Sequence, residues 1–139
     1  MTGTGSAANL IKLGDTGRTV ADPDADVRGR KVVDRNNEEI GSVDDLLIDD
    51  EEAKVRFLRV GAGGFLGIGE QHFLVPVDAV AKIEPERVHI DRDRARLNEV
   101  PIYDPALTDD PAYYENLYGW WGYAPYWGPG YVYPPYPRY

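Results

Sequence analysis

Residues 38–70, EEIGSVDDLLIDDEEAKVRFLRVGAGGFLGIGE, decide how the rest of the chain is read. Ile40 to Asp49 is rich in β-branched and aliphatic residues, and Lys54 to Gly61 is denser still, so both read as strands. Their alternation is not strict. In the first run Ile40, Leu46 and Ile48 share one face while Val43 and Leu47 fall on the other, which predicts a bulge near Gly41 or Asp44-Asp45, or a strand covered on both faces. In the second, Val55 and Phe57 fall on one face and Leu58 and Val60 on the other. The tetrad Asp49-Asp50-Glu51-Glu52 is too charged to be buried unpaired, so it is expected as an exposed hairpin tip. Gly61 to Gly69 holds five glycines and reads as a tight reversal.

Working upstream, Val27 to Asp34 is a short β-rich run, and Asn36-Asn37 suits a hairpin turn because Asn tolerates positive φ. Downstream, His72 to Val77 places Phe73, Val75 and Val77 opposite His72 and Leu74, with Pro76 suited to an edge or strand end. Val80 to Ile83 and Arg87 to Asp91 follow, separated by Glu84-Pro85-Glu86, with Val88 and Ile90 facing in and His89 out. Six short strands with frequent turn signals predict a mainly β fold, a small six-stranded antiparallel barrel. So small a barrel buries little alone, so flanking segments or a second subunit are expected to cover it.

The remaining chain divides around this barrel. Residues 1–26 read as an N-terminal arm whose middle, Asn9 to Leu13, can dock as an edge strand or short turn; 27–91 form the barrel. Residues 92–117 form a helical and irregular extension, in which Leu97 and Val100 pack back. Thr108-Asp109-Asp110-Pro111 starts a helix that runs through Ala112 to Leu117 and stops near Gly119. Residues 118–139 consist of Tyr, Trp, Pro and Gly apart from Ala124, Val132 and Arg138, a composition that predicts extended or irregular structure.

Composition narrows the function classes. The 139 residues carry a net charge of −9 and no cysteine, which opposes nonspecific attraction to nucleic acid and removes disulfide and thiolate chemistry. No apolar run approaches the ~20 residues of a membrane-spanning helix, so a soluble, cytoplasmic protein is expected. Basic residues form no cluster along the sequence.

Chemical motifs are weak. After Gly61 and Gly63 the third glycine of a dinucleotide fingerprint is replaced by Leu66, and no Gly-Lys-Ser/Thr occurs. A calcium loop starting at Asp34 would use Asn36, Glu38 and Asp45, but Glu39 stands where the turn needs glycine. His72, His89, Ser6 and Ser42 show no spacing that suggests a nucleophile with its base. No catalytic, cofactor or metal residue is assigned, and the protein is expected not to be an enzyme.

The aromatic tail carries the one positive signal. Tyr and Trp offer large contact area with a polar handle, and Pro stiffens the chain before binding. Tyr118, Trp120, Trp121, Tyr123, Tyr126, Trp127, Tyr131, Tyr133 and Tyr136 are the candidate partner contacts. Packing on the chain's own barrel, docking on another chain and disorder all remain open for this segment.

Several elements in order resemble the PRC-barrel family: Gly29 with Val32-Val33, Gly41 to Asp49, Val55-Arg56-Phe57-Leu58, Gly63-Gly64-Phe65-Leu66-Gly67, and Val75 to Val80. That family includes a domain of the photosynthetic reaction-centre H subunit and the C-terminal domain of a ribosome maturation factor. The resemblance, closest to the free-standing bacterial type, implies a non-catalytic interaction or assembly module that self-associates or docks on a protein, with a link to stress responses. It also implies two alternatives: an RNA- or ribosome-associated maturation factor, and a peripheral membrane partner of an energy-conversion complex.

Overall fold

The computed structural model describes residues 10–15, 23–49, 54–62, 71–107 and 110–136. The glycine-rich reversal beyond Ala62, the acidic tip beyond Asp49, most of the N-terminal arm, Thr108-Asp109 and the last three tail residues lie outside the described residues.

Seven strands form one sheet: β1 (Leu10–Lys12), β2 (Lys31–Val33), β3 (Glu39–Asp49), β4 (Val55–Ala62), β5 (Gln71–Pro76), β6 (Val80–Ile83) and β7 (Arg87–Ile90). The order is β5-β4-β3-β2-β7-β6, with β1 pairing on β3, and the sheet curls into a half-barrel. Two expectations are corrected here. The sheet is mixed, not purely antiparallel, because β2 and β7 run parallel with Lys31 opposite Arg87. Strands joined by a hairpin must run antiparallel, but β7 reaches β2 through the long β3–β6 crossover, which leaves parallel pairing open to it. Among the described residues the strand count is seven because β3 is long enough for two short strands to share one of its edges, β2 at Glu39–Ser42 and β1 at Leu47–Asp49.

The β2–β3 turn follows its sequence closely. Asn37 adopts φ 66°, and the buried Asp34 carboxylate accepts from the backbone N–H groups of Asn36 (2.8 Å), Glu38 (2.9 Å) and Arg94 (2.8 Å). Burial pushes this carboxyl's pKa up, but the three donors outweigh burial and hold it below its ordinary value.

The mixed alternation of β3 resolves through bulges. Asp44 is the extra residue between the Val43–Val60 and Asp45–Arg59 pairs, which brings Val43 into phase with Leu46 and Ile48 on the inner face. Leu47 keeps the outer face and is covered there. In β4 the sequence-based faces need correction: Arg56 is an extra residue between the Leu47–Phe57 and Ile48–Val55 pairs, so Val55 joins Leu58 and Val60 inside while Phe57 turns outward. At Gly41 a Cβ would lie 2.1 Å from the Gly61 carbonyl oxygen, so only glycine permits this approach of β3 and β4.

The inner core is mainly aliphatic, built from Val32, Ile40, Val43, Leu46, Ile48, Leu58, Val60, Phe73, Val75, Val88 and Ile90, and closed by Leu97 of a 3-10 segment over Arg94–Glu99 and by Val100, which caps that segment. The single α-helix among the described residues, α1 (Pro111–Trp121), starts at Asp110, whose side chain accepts from Ala112 N. It does not stop near Gly119. It continues to Gly122, which takes φ 85° and donates its N–H to the Tyr118 and Gly119 carbonyls. Residues 118–121, expected to be non-helical, are therefore helical. Burial of Tyr114, Leu117, Tyr118 and Trp121 along one side overrides the local preference of Gly119.

Candidate partner-binding surface

The outer face of β3, β4 and β5 presents Leu47, Phe57 and Leu74, three large apolar side chains that need cover. Helix α1 supplies it with Tyr113, Tyr114, Leu117 and Tyr118. Phe57 meets the Tyr118 ring at 5.0 Å and the Tyr114 ring at 5.7 Å, both tilted, the geometry that aromatic quadrupoles favour. Trp121 is fully buried, and its indole N–H donates to the Leu74 carbonyl at 3.1 Å. The Tyr103 N–H donates to the His72 carbonyl at 2.7 Å, so the C-terminal half of the chain satisfies two outward carbonyls of β5.

Beyond Gly122 the tail is fastened to the sheet by its tyrosine hydroxyls. Tyr123 donates to Asp91 Oδ2, Tyr131 to Asp78 Oδ2 (3.1 Å), Tyr133 to the Val55 carbonyl (2.9 Å) and Tyr136 to the Ala25 carbonyl (2.7 Å). Arg56, the bulged residue of β4, is buried with its Nε 3.0 Å from Asp49 Oδ2. Its guanidinium lies 4.4 Å from the Tyr126 ring centroid and 5.3 Å from that of Tyr133. An arginine in such surroundings keeps its charge paired while its planar face stacks on aromatics. Arg92 does the same beside Trp121 and Tyr123, bonding Asp91 Oδ1 at 2.7 Å and the Trp121 carbonyl.

Electrostatics follow this burial. Burial, with Asp91 alongside, pushes the Tyr123 pKa up to about 12. Burial also raises the Asp78 carboxyl, one oxygen of which is held by Tyr131 while Oδ1 has no partner among the described residues. The Tyr118 hydroxyl likewise has no hydrogen-bond partner among the described residues, and burial pushes its pKa up.

The nine tail aromatics singled out from the sequence therefore occupy two positions. Tyr118, Trp121 and Tyr136 are buried against the chain's own sheet. Trp120, Tyr123, Tyr126, Trp127, Tyr131 and Tyr133 are half-buried, each with one side on the molecule and one toward solvent. Trp127 stands edge-on to both Tyr118 (5.9 Å) and Tyr126 (5.3 Å). Val132, 81% exposed, lies within this strip. Sequence reasoning missed Tyr103, Tyr113 and Tyr114 as parts of the same aromatic layer. The apolar spacing of Tyr113, Tyr114, Leu117 and Tyr118, one to four residues apart along a predicted helix, was the available signal.

The two histidines are each paired with a carboxylate at the surface: His72 Nε2 lies 2.8 Å from Asp44 Oδ2, and His89 Nε2 lies 2.7 Å from Glu84 Oε1. Asp44 also holds Arg59 at 2.7 Å, and Arg59 faces the Tyr103 ring. Among the described residues no cluster of three or more His, Asp or Glu is arranged to hold a metal ion, and no helix is long and apolar enough to cross a membrane.

Compared with known proteins, residues 21–97 match the family model of the PRC-barrel domain, more than half of the chain. No curated protein matches.

Proposed function

The chain belongs to the PRC-barrel domain family, and from that premise we propose that it is a non-catalytic interaction and assembly module that docks on a second copy of itself or on a protein partner. The contact surface is the strip of half-buried aromatics Trp120, Tyr123, Tyr126, Trp127, Tyr131 and Tyr133, with Val132 standing out of it. Fastening of the strip supports this reading. Interfaces are enriched in Tyr, Trp and Arg, and aromatic side chains already immobilised lose little further freedom on binding. Here hydroxyl bonds to Asp78, Val55 O and Ala25 O hold the backbone in place before any partner arrives. A cytoplasmic setting fits a chain without cysteine.

Shortening the chain after Leu117 would remove the buried Trp121 together with the strip, so point changes on the exposed side are the cleaner test. Val132→Glu and Trp127→Ser leave the inner core untouched. Light scattering of the full chain is expected to give a multiple of the monomer mass, falling to the monomer in Val132→Glu. A monomer mass for the unmodified chain at every concentration sinks the self-association form of the proposal.

A further inference from the structure

The part of the sheet around β2 and β7 bears a cleft of about 610 Å³, between the start of β2, the start of β7 and the 84–86 turn. The chain carries −9 overall, yet four cations line this cleft, Arg28, Arg30, Lys31 and Arg87, of which Arg28 is already held by Asp26 through bonds of 2.9 and 2.7 Å. They come from two segments far apart in sequence that the parallel β2–β7 pairing joins.

Lys31 and Arg87 are direct partners in that pairing and both are exposed, so two like charges stand side by side. Such neighbours disfavour the pairing unless an anion lies between them. Arg30 is oriented by its Nη1, which donates to the Glu84 carbonyl at 3.0 Å. The Glu84 carboxylate itself is taken up by His89 at 2.7 Å and Lys82 at 3.7 Å. Among the described residues, the Arg87 guanidinium meets no carboxylate at ion-pair distance. Two carboxylates, Glu39 and Glu86, also line the cleft. Glu39 lies 3.3 Å from Lys31, but both side chains are more than half exposed, and an ion pair of that kind is worth little and exchanges readily. Gly29, at φ 89°, presents no side chain, and a Cβ added there would meet nothing within 4 Å, which keeps one wall of the cleft open.

We propose that this cleft binds a small anion bearing more than one phosphate group. Its volume falls within the range of about 300–1,000 Å³ usual for small-ligand sites. Guanidinium forks match phosphate oxygens two at a time, and a second cation beside the fork serves a second phosphate group.

The test is isothermal titration of the full chain with sodium pyrophosphate at fixed ionic strength. Saturable binding is expected, weakened at least about tenfold in Arg87→Gln and in Lys31→Gln, and unchanged in Arg96→Gln, which removes the same charge from an exposed site outside the cleft. Lys31 and Arg87 are exposed, and circular dichroism of each variant verifies its fold. Absence of saturable binding overturns the proposal, as does binding that survives in both cleft variants, or equal binding of citrate. Sedimentation with vesicles of cardiolipin, whose headgroup carries two phosphates, that follows the same variants assigns the ligand to a lipid headgroup; its absence, with pyrophosphate binding intact, assigns it to a soluble anion.

Discussion

The two faces of the sheet are filled with different materials. Inside, Val, Ile and Leu from the strands pack on one another, with few polar groups to satisfy. Outside, over β3–β5, Leu47, Phe57 and Leu74 are covered by tyrosines and tryptophans, and nearly every ring brings a hydroxyl, an indole N–H or a stacked arginine that needs a partner. Aliphatic packing is set by shape alone, so it tolerates exchange of one apolar residue for another of similar volume. The aromatic layer adds directional bonds, so it specifies where the tail must lie as well as that it must pack.

Trp121 touches both materials, being part of the inner cluster while its indole bonds an edge carbonyl of β5. Trp121→Ala is therefore expected to have the largest effect, about 3–5 kcal/mol, since it leaves a cavity and strips Leu74 O of its donor. Urea unfolding monitored by circular dichroism measures it; a loss below about 1 kcal/mol would mean that the two layers are not joined there.

Leu46 and Leu47 are sequence neighbours on opposite faces, both almost fully buried. Each Leu→Ala change is expected to cost about 2–5 kcal/mol. Only Leu47→Ala, beneath the rings of Tyr113, Tyr114 and Tyr118, should also shift the nuclear magnetic resonance signals of those rings in the folded state. The same shifts in both variants would show that the layers respond as one.

The smallest effect is one of sign. Asp34, held by backbone N–H groups on the strand side, has a lowered pKa, so its contribution is full above the ordinary carboxylate range and fades as pH falls through its folded pKa. Asp78, beneath the tail, has a raised pKa. Its folded state prefers the proton, so stability declines as pH climbs from the ordinary carboxylate value through the raised one. Melting temperatures of Asp34→Asn and Asp78→Asn across pH 3–7 should each lose one of these opposite slopes, about 2–3 °C in size. Parallel slopes in the two variants would break the distinction.

The aliphatic face was largely legible in the sequence. Phe73, Val75, Val88 and Ile90 fall on the face that their alternation predicts, and the irregular run of β3 announced its bulges. The bulge at Arg56 was not legible: one extra residue moves Val55 to the face opposite Phe57, and an arginine with its stem in the sheet looks like any strand arginine. The parallel β2–β7 pairing joins segments tens of residues apart, and no local preference encodes that. Three of the basic cleft's cations, Arg28, Arg30 and Lys31, stand within four residues, but Arg87 joins them only through that pairing. At the helix end, local signals favoured Gly119, and the burial of Trp121 decided for Gly122.

The bonds from the Tyr103 amide and the Trp121 indole to β5 also bear on the life of the chain before it is folded. A bare sheet edge is a template for pairing with another molecule and so a route to aggregation. The indole that closes this edge comes 47 residues after the carbonyl it bonds, so during synthesis β5 is finished well before its cover has left the ribosome. For that interval the strand's open carbonyls invite stacking of nascent chains, and expression of the barrel without residues beyond Leu117 prolongs the interval indefinitely. A segment whose composition looks sticky in isolation thus works, once docked, as the element that keeps the sheet from growing into its neighbours.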